Sequence, residues 1–507
     1  MEHILNAFSQ ITPAYVLALV GGTIFGYIVG AIPGFSSTMG VALFVPFSYS
    51  MNVEIAFAFL IALYCSSIYS GSIPAILINT PGTPSSIATV YDGHPMAKKG
   101  QAGRAISLAC LASIFGGIFS GILLIACAGS LAGFALKFGP QEYFALSVMG
   151  VSMIIGMSEG HLVKGVLSAF IGLAIAIVGM DPVTSFPRYT FGVTQLLSGF
   201  QDLPVMVGLF AITEIFWAMS ARHKQVYVEN VGGDVTNIFA GLRDILKNIW
   251  LLIKCSALGT FLGALPGVGT TTAAIMAYNE ARRSSKNPEL MGTGVPEGII
   301  GPECANNAVA GGAMIPMLAL GIPGDNVTAI LLGALMIQGL APGPELFSKY
   351  PATITSLYLS LILSYALILI LSIFSIRWVI KVLKVPTDVL QAFVLIFCII
   401  GAFALRNSYF DVYVALGCGL LGCAMRHYDI PVTPMILALV LGQTIENRLL
   451  VSLQISRGSW LTFVNRPISA TLLAITIGFA IFSVVRQNKA RARKKALAEG
   501  ENGGERS

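Results

Sequence analysis

The chain has 507 residues, of which 55% are hydrophobic and 11% are charged, and its mean hydropathy is +0.79. Soluble domains carry roughly 25% charged residues, so this composition excludes a soluble enzyme and indicates an all-α polytopic membrane protein. The formal net charge of +6 is concentrated in the tail, 486–507. We therefore expect the lipid bilayer as a partner and expect no nucleic acid.

Apolar segments follow one another along almost the whole chain. A spanning helix needs about 20 mostly apolar residues, so several segments are too short to cross alone and we expect roughly 10–13 crossings. The first run lacks the basic flank of a cleaved signal peptide and is interpreted as a retained membrane segment. The segments lie near 14–32, 54–80, 104–128, 142–157, 161–180, 203–219, 248–265, 303–322, 327–340, 353–376, 388–405, 409–425, 430–443 and 466–485.

The only sizeable hydrophilic connection runs over 221–247, which divides the chain into a first half (1–220), this polar connection, a second half (248–485) and the basic tail (486–507). Between apolar segments the basic residues come in clusters, and the positive-inside rule places these clusters, the polar connection and the tail in the cytoplasm. The clusters are Lys98/Lys99/Arg104, Arg222/Lys224, Arg282/Arg283/Lys286 and Arg377/Lys381/Lys384.

Two motifs recur in the same order in the two halves. The stretch GYIVGAIPGFSSTMG (26–40) resembles GTFLGALPGVGTTTA (259–273), and each is followed by a second Pro-Gly, Pro81-Gly82 or Pro323-Gly324, with a proline seven residues earlier. Such ordered recurrence predicts an internal repeat. The matched residues of the first motif are Gly26/Gly259, Gly30/Gly263, Ala31/Ala264, Pro33/Pro266, Gly34/Gly267 and Thr38/Thr271.

The charges that flank the two copies predict that they cross the membrane in opposite directions. After the first motif, copy one has no lysine or arginine over 50–54, whereas copy two has Arg282, Arg283 and Lys286. After the second motif the difference in positive charge is reversed, because there it is copy one that has the clustered lysines, at 98 and 99. Equivalent loops on opposite sides indicate an inverted-topology repeat.

Proline followed by glycine in an apolar segment breaks the helix and leaves backbone N–H groups at the start of the next one. Irregular backbone at this depth needs a polar cavity around it, and a helix start with hydroxyl groups suits a carboxylate. We therefore predict that the four breaks bind substrate through Gly34, Ser36, Ser37, Thr38, Asn79, Thr80, Gly82, Thr83, Ser85, Gly267, Thr270, Thr271, Thr272, Gly324, Asn326 and Thr328.

Oxygen-bearing side chains near the breaks also suit a hard cation such as Na⁺. The predicted ligands are Asn79, Asn306, Asn307 and Asp325. Glu303 is open to two interpretations, a residue that stabilises the start of a helix or a residue that couples ions. The glycines at 26, 30, 259 and 263 are equally open to a packing role.

Motifs of zinc peptidases and of ATPases are absent from the sequence, since it holds no HExxH and no GxxxxGK[ST]. The eight cysteines lack CxxC spacing beside histidine, so neither zinc nor a disulfide framework is expected. We predict no enzyme activity, no catalytic residues and no cofactor. Gly324-Asp325 has a faint similarity to the GxGD element of intramembrane aspartyl proteases, which leaves that class as a minor alternative.

The sequence resembles the large membrane subunit of the tripartite tricarboxylate transporter family. The similar stretches are GAIPGFSSTMG (30–40), YSGSIPAILINTPGTPSSIAT (69–89), YDGHPMAKKGQAGRA (91–105), GALPGVGTTTAA (263–274) and the segment from 294 to 344. The resemblance implies a bacterial inner-membrane importer of a small di- or tricarboxylate such as citrate, driven by a Na⁺ or H⁺ gradient. It further implies an elevator-type scaffold of re-entrant hairpins and broken helices. Two partners are implied as well, a small membrane subunit and a periplasmic solute-binding protein; the alternative is a stand-alone carboxylate symporter or channel.

Overall fold

The computed structural model describes residues 11–157, 162–220, 237, 239–382 and 387–504, and these residues are almost entirely helical. The helices are α1 (Pro13–Ala31), α2 (Ser37–Ser48), α3 (Val53–Ser70), α4 (Ser72–Ile78), α5 (Ile87–Met96), α6 (Ala102–Ala135), α7 (Pro140–Met157), α8 (Leu162–Ala176), α9 (Asp202–Met206), α10 (Thr213–Ser220), α11 (Leu242–Lys247), α12 (Ile249–Ala264), α13 (Gly269–Ser284), α14 (Glu297–Leu320), α15 (Asn326–Ile337), α16 (Pro344–Lys349), α17 (Pro351–Val382), α18 (Thr387–Ala404), α19 (Tyr409–His427), α20 (Thr433–Ile455), α21 (Thr462–Asn465) and α22 (Pro467–Gly504).

Shorter elements join some of these helices. A 3₁₀ turn, Pro84–Ser86, precedes α5, and two further 3₁₀ turns cover Thr194–Ser198 and Pro288–Leu290. One turn of π-helix, Ala97–Gln101, connects α5 to α6, and another, Val207–Ile212, connects α9 to α10. The strands β1 (Gly179–Met180) and β2 (Pro187–Arg188) form a small antiparallel hairpin, in which Gly179 pairs with Arg188.

The all-α membrane architecture predicted from composition is confirmed. Among the described residues, seven helical stretches are long and apolar enough to cross a bilayer. Five further apolar helices are shorter, and two of them, α2 and α15, directly follow predicted breaks. The number of crossings and the opposite direction of the two copies stay predictions.

Helix α13 shows where a hydropathy scan fails. It has 16 residues but ends in the sequence Arg282-Arg283-Ser284, and only part of it is apolar, so the scan did not find it. The predicted polar connection 221–247 contains the short helix α11 in its last part, while 221–236 and 238 lie outside the described residues. The basic residues Arg222 and Lys224 fall in that same gap.

The chain forms two compact units, and the first consists of 1–136 and 203–423. Glycines allow helices of this unit to approach closely, in the same way in both copies of the repeat. A Cβ added to Gly30 on α1 would lie 2.2 Å from the carbonyl oxygen of Ser67 on α3, and one on Gly263 of α12 would lie 2.7 Å from that of Val309 on α14. Since Ser67 and Val309 each precede the proline at 74 or 316 by seven residues, the packing interpretation of these glycines is supported.

The second unit consists of 137–202 and 424–507. Its hairpin is attached to α20 because Arg188 forms hydrogen bonds of 2.5 and 3.1 Å with the two carboxylate oxygens of Glu446. The Glu446 carboxylate raises the pKa of the Arg188 guanidinium. Backbone N–H groups of Thr184 and Val183 hold the pKa of the Asp181 carboxyl below its usual range, so the aspartate in this turn is charged at neutral pH.

Candidate functional site

The first break of copy one is a five-residue loop between α1 and α2. Gly34 at its tip is exposed and has a φ of +89°, a conformation that residues with a Cβ rarely adopt. The Ser36 hydroxyl accepts a hydrogen bond of 3.1 Å from the backbone N–H of Met39 and so caps α2. Ser37 is buried in the first turn of α2, and Thr38 beside it is half-buried.

The second break of copy one lies between α4 and α5. Asn79 ends α4 in the left-handed conformation, with a φ of 57°, and its side chain is exposed. Thr80 donates to the carbonyl oxygen of Ile78 at 3.3 Å, and the N–H of Gly82 donates to that of Gly71 at 3.0 Å. The hydroxyls of Thr83 and Ser85 are buried and hydrogen-bonded to each other at 2.8 Å.

The first break of copy two has the same geometry as its counterpart. Gly267 has a φ of +83°, close to that of Gly34, and its N–H donates to the carbonyl oxygen of Gly324 at 2.9 Å. Here the two breaks of copy two are hydrogen-bonded to each other. The hydroxyl-bearing residues Thr270, Thr271 and Thr272 form the first turn of α13 and are half-buried.

At the second break of copy two, Asp325 caps α15. Its Oδ1 accepts hydrogen bonds from the N–H (2.8 Å) and hydroxyl (2.7 Å) of Thr328, whose hydroxyl oxygen in turn accepts from the N–H of Asp325 at 2.9 Å. This reciprocal arrangement is a capping box. Thr328 is therefore engaged in holding the helix start, while Asn326, in the first position of α15, is half-buried.

Each second Pro-Gly packs against the helix of the first motif in its own copy. A Cβ added to Gly82 would lie 2.0 Å from the carbonyl oxygen of Gly30, and one added to Gly324 would lie 2.1 Å from that of Gly263. Because neither position has room for a methyl group, glycine is required there by close approach of two backbones. The same contact thus recurs at matched positions of the two copies.

Polar side chains also link each copy to the break of the other. Tyr64 on α3 donates a hydrogen bond of 2.6 Å to Oδ2 of Asp325, and Asn306 on α14 donates one of 3.3 Å to the carbonyl oxygen of Ser85. Tyr64 and Asn306 occupy matched positions, ten residues before Pro74 and Pro316 respectively. The structure therefore brings residues of both second breaks into one buried assembly.

Asn306 and Asn307 are fully buried, and their amides have protein partners. Asn307 donates to Oδ1 of Asn306 at 2.7 Å and to the backbone carbonyl of Glu303 at 3.1 Å. Tyr365 on α17 donates to the carbonyl oxygen of Asn307 at 3.1 Å. Within the described residues no three His, Cys, Asp or Glu side chains lie together as a group.

Sequence reasoning missed Asp92, a fully buried carboxylate on α5. Its oxygens accept hydrogen bonds from the backbone N–H groups of Gly292 (3.0 Å), Gly294 (2.8 Å) and Val295 (2.9 Å) and from the Tyr278 hydroxyl (2.9 Å). This residue anchors the loop before α14 to the segment after the first repeat's second break. The sequence gives one signal, an aspartate inside the conspicuous stretch YDGHP.

A helical membrane protein whose hydroxyl, amide and carboxyl groups collect at repeated helix breaks has the features of a membrane transport protein. The sequence model of the Tripartite tricarboxylate transporter TctA family matches residues 16–437. The chain therefore belongs to this family of transporter subunits.

Two curated relatives, both from Agrobacterium vitis, are described as uncharacterized. The chain is 34% identical over 492 residues to the 52.8 kDa protein in the TAR-I ttuC' 3' region, covering 97% of each chain. It is 37% identical over 227 residues to the protein in the TAR-II ttuC' 3' region, covering 45% of this chain and 94% of that relative. No solved structure matches the chain.

Proposed function

We propose that this chain is the permease subunit of a binding-protein-dependent secondary transporter, which imports a small organic di- or tricarboxylate with Na⁺ or H⁺. Its partners are a small membrane subunit and a periplasmic solute-binding protein, and it lies in a bacterial inner membrane with the C-terminal tail in the cytoplasm. The family supports the transport role. The elevator-type inverted repeat and the two repeat halves belong to the same proposal.

The observation that carries the proposal is the assembly of both second breaks through the Tyr64–Asp325 and Asn306–Ser85 hydrogen bonds. Two helices that begin with hydroxyl-bearing residues pack against elements of this assembly: α13, with its three threonines, packs against the turn Pro84–Ser86, and α2, with Ser37 and Thr38, packs against α3 and α15. Helix starts offer unpaired N–H groups to an anion, and the partial positive charge of the helix dipole adds to the attraction. A carboxylate that contacts several breaks at once would bind best in one arrangement of those breaks. Its binding would therefore be coupled to their relative movement.

Uptake of radiolabelled citrate, followed by a panel of dicarboxylates, tests the proposal in proteoliposomes. The chain is reconstituted with and without its small membrane subunit and its binding protein, and with or without inward Na⁺ and H⁺ gradients. We expect uptake that needs the binding protein and one of the two gradients. Uptake that ignores the binding protein would favour the stand-alone symporter or channel, and uptake of no carboxylate would contradict the substrate class.

A further inference from the structure

Glu303 is a fully buried carboxyl group on α14, and its two oxygens receive hydroxyl groups from two different helices. Thr89 on α5 donates to Oε1, and Ser113 on α6 donates to Oε2 at 3.1 Å. Asn306, one turn later on α14, also interacts with this carboxyl through its side chain. Glu303 is thus held inside the protein, away from the helix start at which sequence analysis considered it.

The matched pair of positions in the repeat carries no polar group. Glu303 of copy two precedes Pro316 by 13 residues, and the residue of copy one that precedes Pro74 by 13 is Ile61. Thr89 of copy one follows Gly82 by seven residues, as Leu331 of copy two follows Gly324. Ile61 and Leu331 are both fully buried, so the matched pair is hydrocarbon where Glu303 and Thr89 are polar. A buried ionisable group that the matched pair lacks indicates function.

No lysine, arginine or histidine in the described part of the chain forms an ion pair with Glu303. The carboxyls on neighbouring elements have their own partners, since Asp92 holds the loop before α14 and Asp325 caps α15. None of the other titratable groups on the elements packed against α14 hydrogen-bonds to Glu303. These groups are the phenols and thiols Tyr64, Tyr69, Tyr91, Tyr278, Tyr365, Cys65, Cys110, Cys127 and Cys255, the bases His94, Arg104, Lys254, Arg282, Arg283 and Lys349, and the acids Glu54, Glu280 and Glu345.

A proton satisfies this site better than an unpaired charge. An ionised carboxylate accepts from both hydroxyls but keeps a net charge in a low-dielectric interior, which is costly. A protonated carboxyl donates its O–H to one hydroxyl and accepts from the other, because serine and threonine hydroxyls act as donor or acceptor. The three side chains can therefore be hydrogen-bonded in both states without moving a helix.

We propose that Glu303 is the protonation site through which solute import is coupled to the H⁺ gradient. This inference rests on the proposed transport function and specifies its coupling ion. In the cycle, the Glu303 carboxylate takes up H⁺ from water on the side where solute enters and releases it to water on the other side. Asn306 connects the site to the solute path, because the same side chain donates to the carbonyl oxygen of Ser85 in the second break of copy one.

Two variants and a control separate coupling from folding. Glu303→Gln mimics the neutral acid and keeps the hydrogen bonds but cannot release a proton. Thr89→Val removes one hydroxyl donor while it keeps the shape of the side chain. Glu345→Gln neutralises an exposed glutamate that pairs with Lys349 on α16, and serves as the matched control. Each is reconstituted with the small subunit and the binding protein.

In the transport assay, we expect Glu303→Gln to retain exchange of labelled for unlabelled solute without any gradient and to lose accumulation driven by a pH gradient. Thr89→Val should shift the pH at which this accumulation is half-maximal, and Glu345→Gln should match the wild type. Accumulation driven by the pH gradient in Glu303→Gln would overturn the proposal. Loss of a Na⁺ dependence in that variant, with the pH response intact, would replace it with a cation site.

A second readout needs no transport. Infrared difference spectra of the purified wild-type chain between acidic and alkaline pH should contain the carbonyl band of a buried carboxylic acid, and Glu303→Gln should lack it. An unchanged band in the variant would also overturn the proposal. If no carboxylate is transported by any protein while the band behaves as expected, the proposed function fails and the protonation site stands.

Discussion

The hydroxyl of Tyr64 lies 2.6 Å from Oδ2 of Asp325, although the two residues are 261 positions apart in the chain. Oδ1 of Asp325 is hydrogen-bonded to Thr328 in the capping box, so Oδ2 is the oxygen that contacts the other copy. Both residues are buried, Tyr64 completely. This bond joins the start of α15 to α3. If one copy moves relative to the other, either the bond breaks or α3 and the start of α15 move together.

Removal of this bond tests whether Asp325 belongs to the transport path. Tyr64→Phe deletes the hydroxyl, and loss of one partner of a buried hydrogen bond to a carboxyl costs about 1–3 kcal/mol. We expect reduced uptake with a normal amount of protein in the membrane, and the same for Asp325→Asn. Tyr413→Phe, at a side chain that is 69% exposed, is the control. Wild-type uptake in both variants would remove Asp325 from the site.

Asn79 allows backbone and side-chain roles to be separated. Its φ of 57° costs a residue with a Cβ about 1 kcal/mol, a cost that asparagine tolerates and glycine avoids. We expect Asn79→Ala to lower both uptake and the Tm of the solubilised protein, and Asn79→Gly to lower uptake while the Tm is kept. A glycine variant that transports like the wild type would show that the exposed amide does not contact solute or cation.

The close approach of the paired breaks predicts strong effects of single methyl groups. Gly82→Ala and Gly324→Ala would each force a Cβ to within about 2 Å of a carbonyl oxygen, and such overpacking typically costs 1–3 kcal/mol. We expect a lower Tm in detergent for both. Gly129→Ala on α6 is the matched control, because nothing lies within 4 Å of its added Cβ and alanine favours a helix. Equal Tm values for all three would contradict the described packing.

The hydrogen bonds of Asp92 predict that its removal changes amide hydrogen exchange locally. Asp92→Ala removes the acceptor for the N–H groups of Gly292, Gly294 and Val295, so these amides should exchange much faster while the helices stay protected. Asp429→Ala, at an aspartate with an exposed side chain, should leave the 290–296 segment unchanged. If exchange there is the same in Asp92→Ala and the wild type, the carboxylate does not anchor the loop.

Much of the site could be predicted from the sequence because the breaks are made by local chemistry. Proline lacks an N–H and glycine adopts positive φ, so Pro33-Gly34 and Pro266-Gly267 mark loops whatever surrounds them. The capping role of Asp325 is also local, since its partner Thr328 is three residues away. The sequence did not show that the side chains of Asp325 and Thr328 are hydrogen-bonded to each other in the capping box.

The sequence by itself determined a helical membrane protein, its family and the positions of the four breaks, because composition, hydropathy and Pro-Gly chemistry act over a few neighbouring residues. Only the tertiary structure decided which polar groups meet. Thr89 and Ser113 lie 214 and 190 positions from Glu303, and Ser113 is one hydroxyl-bearing residue inside a long apolar segment. Their contact with Glu303 depends on the packing of α5 and α6 against α14, and no local sequence pattern predicts this long-range arrangement.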